Sequence, residues 1–594
     1  MDADRLLSMP LTFADSKNWG FISNQLTASL IDGSGNILWL CFPRFESDPV
    51  IGFLLDEKNG GTFSIRPKDA YKSEQKYIAP NILRTTFSTE KGACSITDFL
   101  LPGKTMLVRE IKSEVDLELE LKPTFNFNNS PVNYSEKDGF LVFDNANSSE
   151  RLAAKISMDI KDRSADGKYT LGPGYGHVIL AYYASQDVFD FPAEREIFQT
   201  IPKSLESTVE YWSSKAKIET DGLKMSGDAK LDQIFKVSIG VILGLMYSPT
   251  GGIIAAPTTS LPEDPGGVRN WDYRYLWVRD CSMMASSLCD TGSIVEGRRA
   301  LEFIFGLVDF SGKPLYNLYK VTGSRIYGER YITNLAGFMN SKPVKAGNRA
   351  SNQMQLDIEG EFLDAVNHYF KKSNDSVFVE SHLKAIEYIG DWIAENWQLT
   401  DSSIWEKPTD REYTYSKVMM WVALDRAGKL LSVVNKPDRW KNTRENIKKW
   451  VMSNCVKDGH FVVESESTKT DATPLLFPVY GFIDVNDGIF TETLKVIEKN
   501  LARDGFVFRY LSDSLGKSTH PFTLCSFWLS SVYSMLGDRK KAKEILDSVA
   551  YVSGPLGLIG EDIDVKEKVF TGNFPQGFSH AGFIRAFMKM TGNQ

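Results

Sequence analysis

The sequence predicts a multidomain β + α protein: an antiparallel β-sandwich over the first 200 residues, then a helical α/α toroid. Three observations lead there. The chain has 594 residues, more than one hydrophobic core usually serves. Strand-like alternation fills its first third. Helical periodicity dominates from about Leu231 to the end.

In the first third, Ile37-Leu38-Trp39-Leu40 is a short apolar run after the turn-forming Asp32-Gly33-Ser34-Gly35-Asn36. Leu117, Leu119 and Leu121 alternate with Glu118, Glu120 and Lys122, the period-2 pattern of a half-buried strand. Val178 to Tyr183 reads as a fully buried one. Asn128-Asn129-Ser130-Pro131 and Gly172-Pro173-Gly174 punctuate the runs. These features place a β-sandwich domain at 1–202. Residues 203–215 (KSLESTVEYWSSK) read as helical, within a linker at 203–224. In the remaining domain, 225–594, Cys525, Trp528, Leu529, Val532 and Leu536 share one helix face with Gly537 as a stop. Ser416 to Leu424 is apolar nearly all round, as a helix inside its domain would be.

Composition narrows the function. Hydrophobic residues make up 42% and charged residues 24%, ordinary for a globular protein. A net charge of −8 argues against a nucleic-acid surface. The six cysteines show no CxxC or Cys/His metal spacing and read as buried free thiols. There is no signal-peptide pattern and no run of 18 apolar residues, so no membrane partner and a cytoplasmic location are expected. The 12 Trp, 23 Tyr and 36 Phe suit stacking on sugar rings and equally a large aromatic core.

Four segments carry chemistry. Arg269 to Asp280 (RNWDYRYLWVRD) interleaves four aromatics with arginines and aspartates, which together grip sugar hydroxyls and wall off an apolar face. In Asp401 to Glu406 (DSSIWE), a carboxyl beside Ile404 and Trp405 would be desolvated and its pKa raised, as a general acid requires. Gly557 to Asp564 (GLIGEDID) offers three carboxyls ahead of the turn Gly572 to His580 (GNFPQGFSH). One of them, ionised, can act as a general base, while Asp562 and Asp564 also fit a calcium site or a capping cluster. In Gly337 to Glu361 and just beyond, Gln353, Asp357, Gly360 and Asp364 recur at helical spacing. They read either as a polar face lining a funnel or as a solvated one.

Taken together, these segments resemble glycoside hydrolase family 15, the glucoamylase and trehalase family, over nearly the whole chain. The carriers are Thr27 to Asp32, Ile37 to Ser47, RNWDYRYLWVRD at 269–280, IWE at 404–406, YSKVMMWVALDR at 415–426, LCSFWL at 524–529 and GNFPQGFSH at 572–580. The resemblance implies an N-terminal β-supersandwich, a catalytic (α/α)6 barrel, and hydrolysis with anomeric inversion that needs neither cofactor nor metal. By motif position Glu406 resembles the general acid and Glu561 the general base. Tyr273, Trp277, Arg279 and Asp280 resemble the subsite for the non-reducing-end glucose; Trp405 would flank the acid, and Arg509 would contact sugar hydroxyls. Two stretches depart from the pattern: Lys407-Pro408-Thr409-Asp410 stands where many bacterial relatives carry Arg-Gly, and Ser518 to Phe522 where relatives often have Glu-Gly. The Tyr-Thr-Tyr-Ser-Lys stretch and the missing Arg-Gly favour an exo-acting glucoamylase on α-glucan oligosaccharides. The alternatives are a trehalase on the same scaffold, an inverting disaccharide phosphorylase and a silent sugar-binding protein.

Overall fold

The structure is a computed structural model that describes residues 10–164, 166–185, 190, 198–216, 223–513 and 515–593. Its N-terminal third is antiparallel sheet throughout. Alternation builds it: in the strand Leu117–Lys122 the three leucines are buried and the charged residues between them reach outward. That strand lies between Thr62–Pro67 and Lys168–Leu171 in a four-stranded sheet. Facing it is an eight-stranded sheet whose central strand, Gly174–Tyr183, pairs with Met106–Ser113 and Arg151–Ile156. A third sheet, Gly20–Ser23 to Pro49–Ile51, has every residue buried. Such strands need cover on both faces, and one face is covered by the helical region: Trp19, Phe21, Leu38 and Trp39 share a core with helical residues. The Trp39 indole donates to Pro257 O (2.7 Å), and Arg274 donates to Ser47 O (2.7 Å).

Within the stretch expected as a linker, a helix covers Ser204–Lys215; residues 217–222 lie outside the described residues. Beyond it, five helices are buried on most sides: α1 (Val278–Asp290), α2 (Ile358–Ser373), α3 (Thr414–Val433), α4 (Thr523–Met535) and α5 (Gly577–Thr591). α1 packs on α2, α2 on α3 and α4 on α5, and α5 returns to α1. Between α3 and α4 the ring is completed by the short turn Thr473–Leu476 and the residues after it. Pro474 and Pro478 break regular helix there, since proline brings no N–H. Arg426 of α3 bonds across to Tyr480 O (2.8 Å). Six outer helices, from Ala229–Leu245 to Arg539–Val552, cover this ring.

Close approach explains one residue misread above. A Cβ on Gly360 would lie 2.3 Å from Met419 O, so this glycine lets α2 and α3 touch and belongs to no polar face. The helix begins only at Ile358. Gln353 and Asp357 therefore precede it, and Asp364 pairs with Arg426 (2.7 Å). The single polar face over 353–364 does not form. All six cysteines are buried and free, and among the described residues no helix is long and apolar enough to cross a membrane.

Candidate active site

The loops at one end of the helical ring enclose a cavity of about 480 Å³. Seven of the eight residues read from motifs line it: Tyr273, Trp277, Arg279, Asp280, Trp405, Glu406 and Arg509. The eighth, Glu561, lies directly beneath Tyr273, whose hydroxyl donates to Glu561 Oε1 at 2.6 Å. The motif segments are hundreds of residues apart in sequence, and the ring of helices brings their loop ends together.

Glu406 sits on a turn with two left-handed residues, Ser403 (φ 55°) and Glu406 itself (φ 54°). Such a conformation costs a non-glycine residue about 1–2 kcal/mol, so the surroundings must impose it. Asp401 does so: its buried Oδ2 accepts from Leu356 N (3.0 Å), Ser403 N (2.9 Å) and Ser416 Oγ (2.7 Å). The turn then closes with Lys407 N on Ser402 O (2.8 Å). The Glu406 side chain is exposed to the funnel, yet the protein wall around the funnel displaces enough water to raise its pKa. Arg279, Arg509 and the Trp277 indole pull the other way. Trp405 turns its indole away, donating to Asp471 (2.8 Å), and packs edge-on against Phe522.

Glu561 is buried, at 1% exposure. Besides the Tyr273 hydroxyl it accepts from Asn573 N (3.3 Å). Gly572 makes room: its φ is +78°, and a Cβ there would stand 2.4 Å from Glu561 Oε2. Burial pushes the Glu561 pKa up to about 8, the Glu263 charge adds to the rise, and Arg509 opposes it. Neighbouring Asp562 is also raised well above the ordinary carboxylate range, again by burial first. The two carboxyls differ in what stabilises charge. Asp562 has both oxygens buried with no hydrogen bond; Glu561 accepts two. Hydrogen bonds to a carboxylate favour its ionised form, so the two that Glu561 accepts favour charge on Glu561 over Asp562.

Sequence reading missed Glu263 and Asp401 as site residues. Glu263 accepts from Arg509 Nη2 (2.6 Å) and the Trp271 indole (2.8 Å). Its only signal is a Pro-Glu pair six residues ahead of RNWDYRYLWVRD. Glu263, Glu561 and Asp562 bring carboxylate oxygens within 4.8 Å of one another, a grouping that fits the calcium alternative, but the Arg509 guanidinium already supplies a cation there, 2.6 Å from Glu263 and 3.6 Å from Asp562. Asp564 caps the turn that follows it, accepting from Lys566 N and Glu567 N. Deeper in the cavity, Arg279 donates to Gln355 (3.1 Å) and Asp357 (2.7 Å). Beside it, burial pushes Asp280 up to about 7. Arg279 Nε, Asp357 Oδ1 and Arg509 Nε are buried with no hydrogen-bond partner, and the Arg279 and Arg509 side chains line the cavity.

A helical ring with two acidic groups and an arginine-aromatic cradle at one mouth defines a glycoside hydrolase. The chain belongs to glycoside hydrolase family 15: the model described as glycosyl hydrolases family 15 matches residues 232–545, and one described as trehalase-like, N-terminal matches residues 16–182. It is similar to Trehalase 1 of Sulfolobus acidocaldarius, 43% identical over 97% of this chain and 99% of that one. Trehalase of Thermoplasma volcanium is 32% identical over 96% of this chain and 93% of its own. Among solved structures, a bacterial glucoamylase complexed with acarbose aligns with a TM-score of 0.70 at 12% identity, covering 97% of this chain and 94% of that one. That likeness supports the fold, a β-sheet domain followed by an (α/α)6 barrel. The full-length relatives favour the trehalase alternative over the α-glucan reading.

Proposed function

We propose that the enzyme hydrolyses α,α-trehalose to two glucose molecules with inversion at one anomeric carbon. Glu406 is the general acid: protonated, it gives its proton to the bridging oxygen. Glu561 is the general base: ionised, it takes a proton from water, and that water's oxygen bonds to C1 as the C1–O bond breaks. Water sits between base and sugar, the arrangement for which inverting enzymes hold their carboxyls about 6.5–9.5 Å apart. Tyr273, Trp277, Arg279 and Asp280 bind the glucose that is attacked. Trp405 and Arg509 hold the walls beside acid and base. The domain boundaries belong to the same reading, with catalysis in residues 225–594.

The observation that supports this is the pairing of two carboxyls at one cavity: Glu406, open to the funnel on one loop, and Glu561, buried beneath Tyr273 and accepting two hydrogen bonds on the other. Full-length similarity to proteins named trehalase supports trehalose as the substrate. Glucose release from trehalose, maltose, maltotetraose and isomaltose, compared side by side, tests it. Trehalose should be cleaved with the highest kcat/KM; a preference for maltotetraose would restore the glucoamylase reading.

A further inference from the structure

One acidic side chain of the cavity has no part in the chemistry above. Glu329 lines the cavity, its side chain is 2% exposed, and neither carboxylate oxygen has a hydrogen-bond partner. Its nearest cations, Lys345 Nζ and Arg349 Nε, both stand at 3.4 Å. The two cations balance its charge while its hydrogen-bonding capacity stays unused, and buried polar groups are normally hydrogen-bonded. Its strand, Glu329–Ile332, pairs with Val344–Gly347, and the residue opposite Glu329 is Gly347, which puts no side chain across it. Tyr331, two residues on and so on the same face, is 49% exposed and also lines the cavity.

The hairpin is held firmly. Lys345 N donates to Ser260 Oγ (2.8 Å), and Thr259 Oγ1 donates to Lys345 O (2.7 Å). The Lys345 ammonium lies 4.0 Å from the Trp271 ring centre, and Lys345 lines the same cavity as Glu406. The β-sheet domain braces the hairpin from behind: Arg330 donates to Asp48 (2.9 Å), Asn334 to Phe127 O (2.8 Å), and Ala336 N to Asp56 (3.1 Å).

We infer that this hairpin forms the subsite for the second sugar, the glucose that leaves with the bridging oxygen. Glu329 accepts from its hydroxyls, Lys345 and Arg349 donate to them, and Trp271 and Tyr331 flank the ring. The assignment rests on the disaccharide-hydrolase reading and adds to it the residues that recognise the leaving group.

The test compares trehalose with α-glucosyl fluoride, which fills the first subsite and carries no second sugar. In Glu329→Gln, the ratio of kcat/KM on trehalose to kcat/KM on the fluoride should fall at least tenfold. A parallel fall on both substrates, or no change in the ratio, would overturn the assignment. Should Glu329→Gln fail to fold, Tyr331→Ala at the exposed rim decides: a fall of about threefold in the ratio supports the subsite and an unchanged ratio rejects it. If the wild-type protein spares trehalose but cleaves another α-glucosyl disaccharide, the substrate assignment fails, and the same ratio taken on that disaccharide still judges the hairpin.

Discussion

The two loops that carry Glu406 and Glu561 solve opposite problems with the same side chain. The Glu406 loop is a left-handed turn anchored by one buried aspartate, with its glutamate open to the funnel. The Glu561 loop is a buried hairpin end, with its glutamate held by a tyrosine hydroxyl and a backbone N–H. Position in a polar funnel alone does not assign an acid or a base. What separates the two is burial and local hydrogen bonding: Glu561 is enclosed and accepts two bonds from its own loop and Tyr273, whereas Glu406 faces the funnel, and the proposed roles of base and acid rest on that difference.

The largest effect should come from removing either carboxyl. Glu406→Gln and Glu561→Gln should each lower kcat on trehalose by about 10²–10⁴-fold. The comparison sharpens on α-glucosyl fluoride, whose leaving group needs no proton. There Glu406→Gln should recover much of its activity and Glu561→Gln should not. Equal losses on both substrates would erase the distinction between the loops.

Gly572→Ala should come next. It leaves both carboxyls in place but drives a methyl against Glu561 Oε2 and strains a backbone at φ +78°. At least a tenfold loss of kcat is expected, with KM for trehalose changing less. Wild-type kcat would show that Glu561 is not held where this loop places it.

Charge neighbours of Glu561 should move the pH profile in opposite directions. The Glu263 charge raises the Glu561 pKa and Arg509 lowers it. Glu561 acts ionised, so kcat/KM rises with pH through its pKa. Glu263→Gln should shift that acid limb to lower pH, and Arg509→Met should shift it to higher pH. Movement in the same direction, or none, would remove Glu561 from the acid limb.

The smallest effect should be at Asp401. Asp401→Ala strips three hydrogen bonds from the Glu406 turn, and leaving such buried donors unpaired costs about 1–3 kcal/mol of stability. Thermal unfolding should show that loss together with a fall in kcat smaller than that of Glu406→Gln. Unchanged stability would mean that the turn does not depend on this anchor.

These loops also show how far the sequence could be read. Leu117, Leu119 and Leu121 announced a half-buried strand because sheet periodicity is local. Residues 416–424 announced a buried helix because they are apolar on every side, and they lie inside α3. Tyr273, Trp277, Arg279, Asp280, Trp405, Glu406 and Arg509 sit in long motifs and reach one cavity together. Glu263 could not be read this way, because its partners Arg509 and Trp271 meet it only through the closed ring of helices. The face expected over Gln353 to Asp364 failed for a related reason: helical spacing says nothing about where a helix begins, and this one starts after Asp357. Glu329 gave no signal either, since only the hairpin pairing that sets it opposite Gly347 brings Lys345 and Arg349 beside it. The choice between trehalose and α-glucans fell on the wall that receives the second sugar, which the strongest motifs do not include.

The central claim is inversion by a Glu406 acid and a Glu561 base acting on trehalose. Proton NMR of the first glucose released tests it most directly. Inversion at one anomeric carbon predicts equal initial amounts of β-glucose, from the attacked sugar, and α-glucose, from the leaving one. Release of α-glucose alone before mutarotation would mean retention, and would contradict the assignment of Glu561 as a base acting through water.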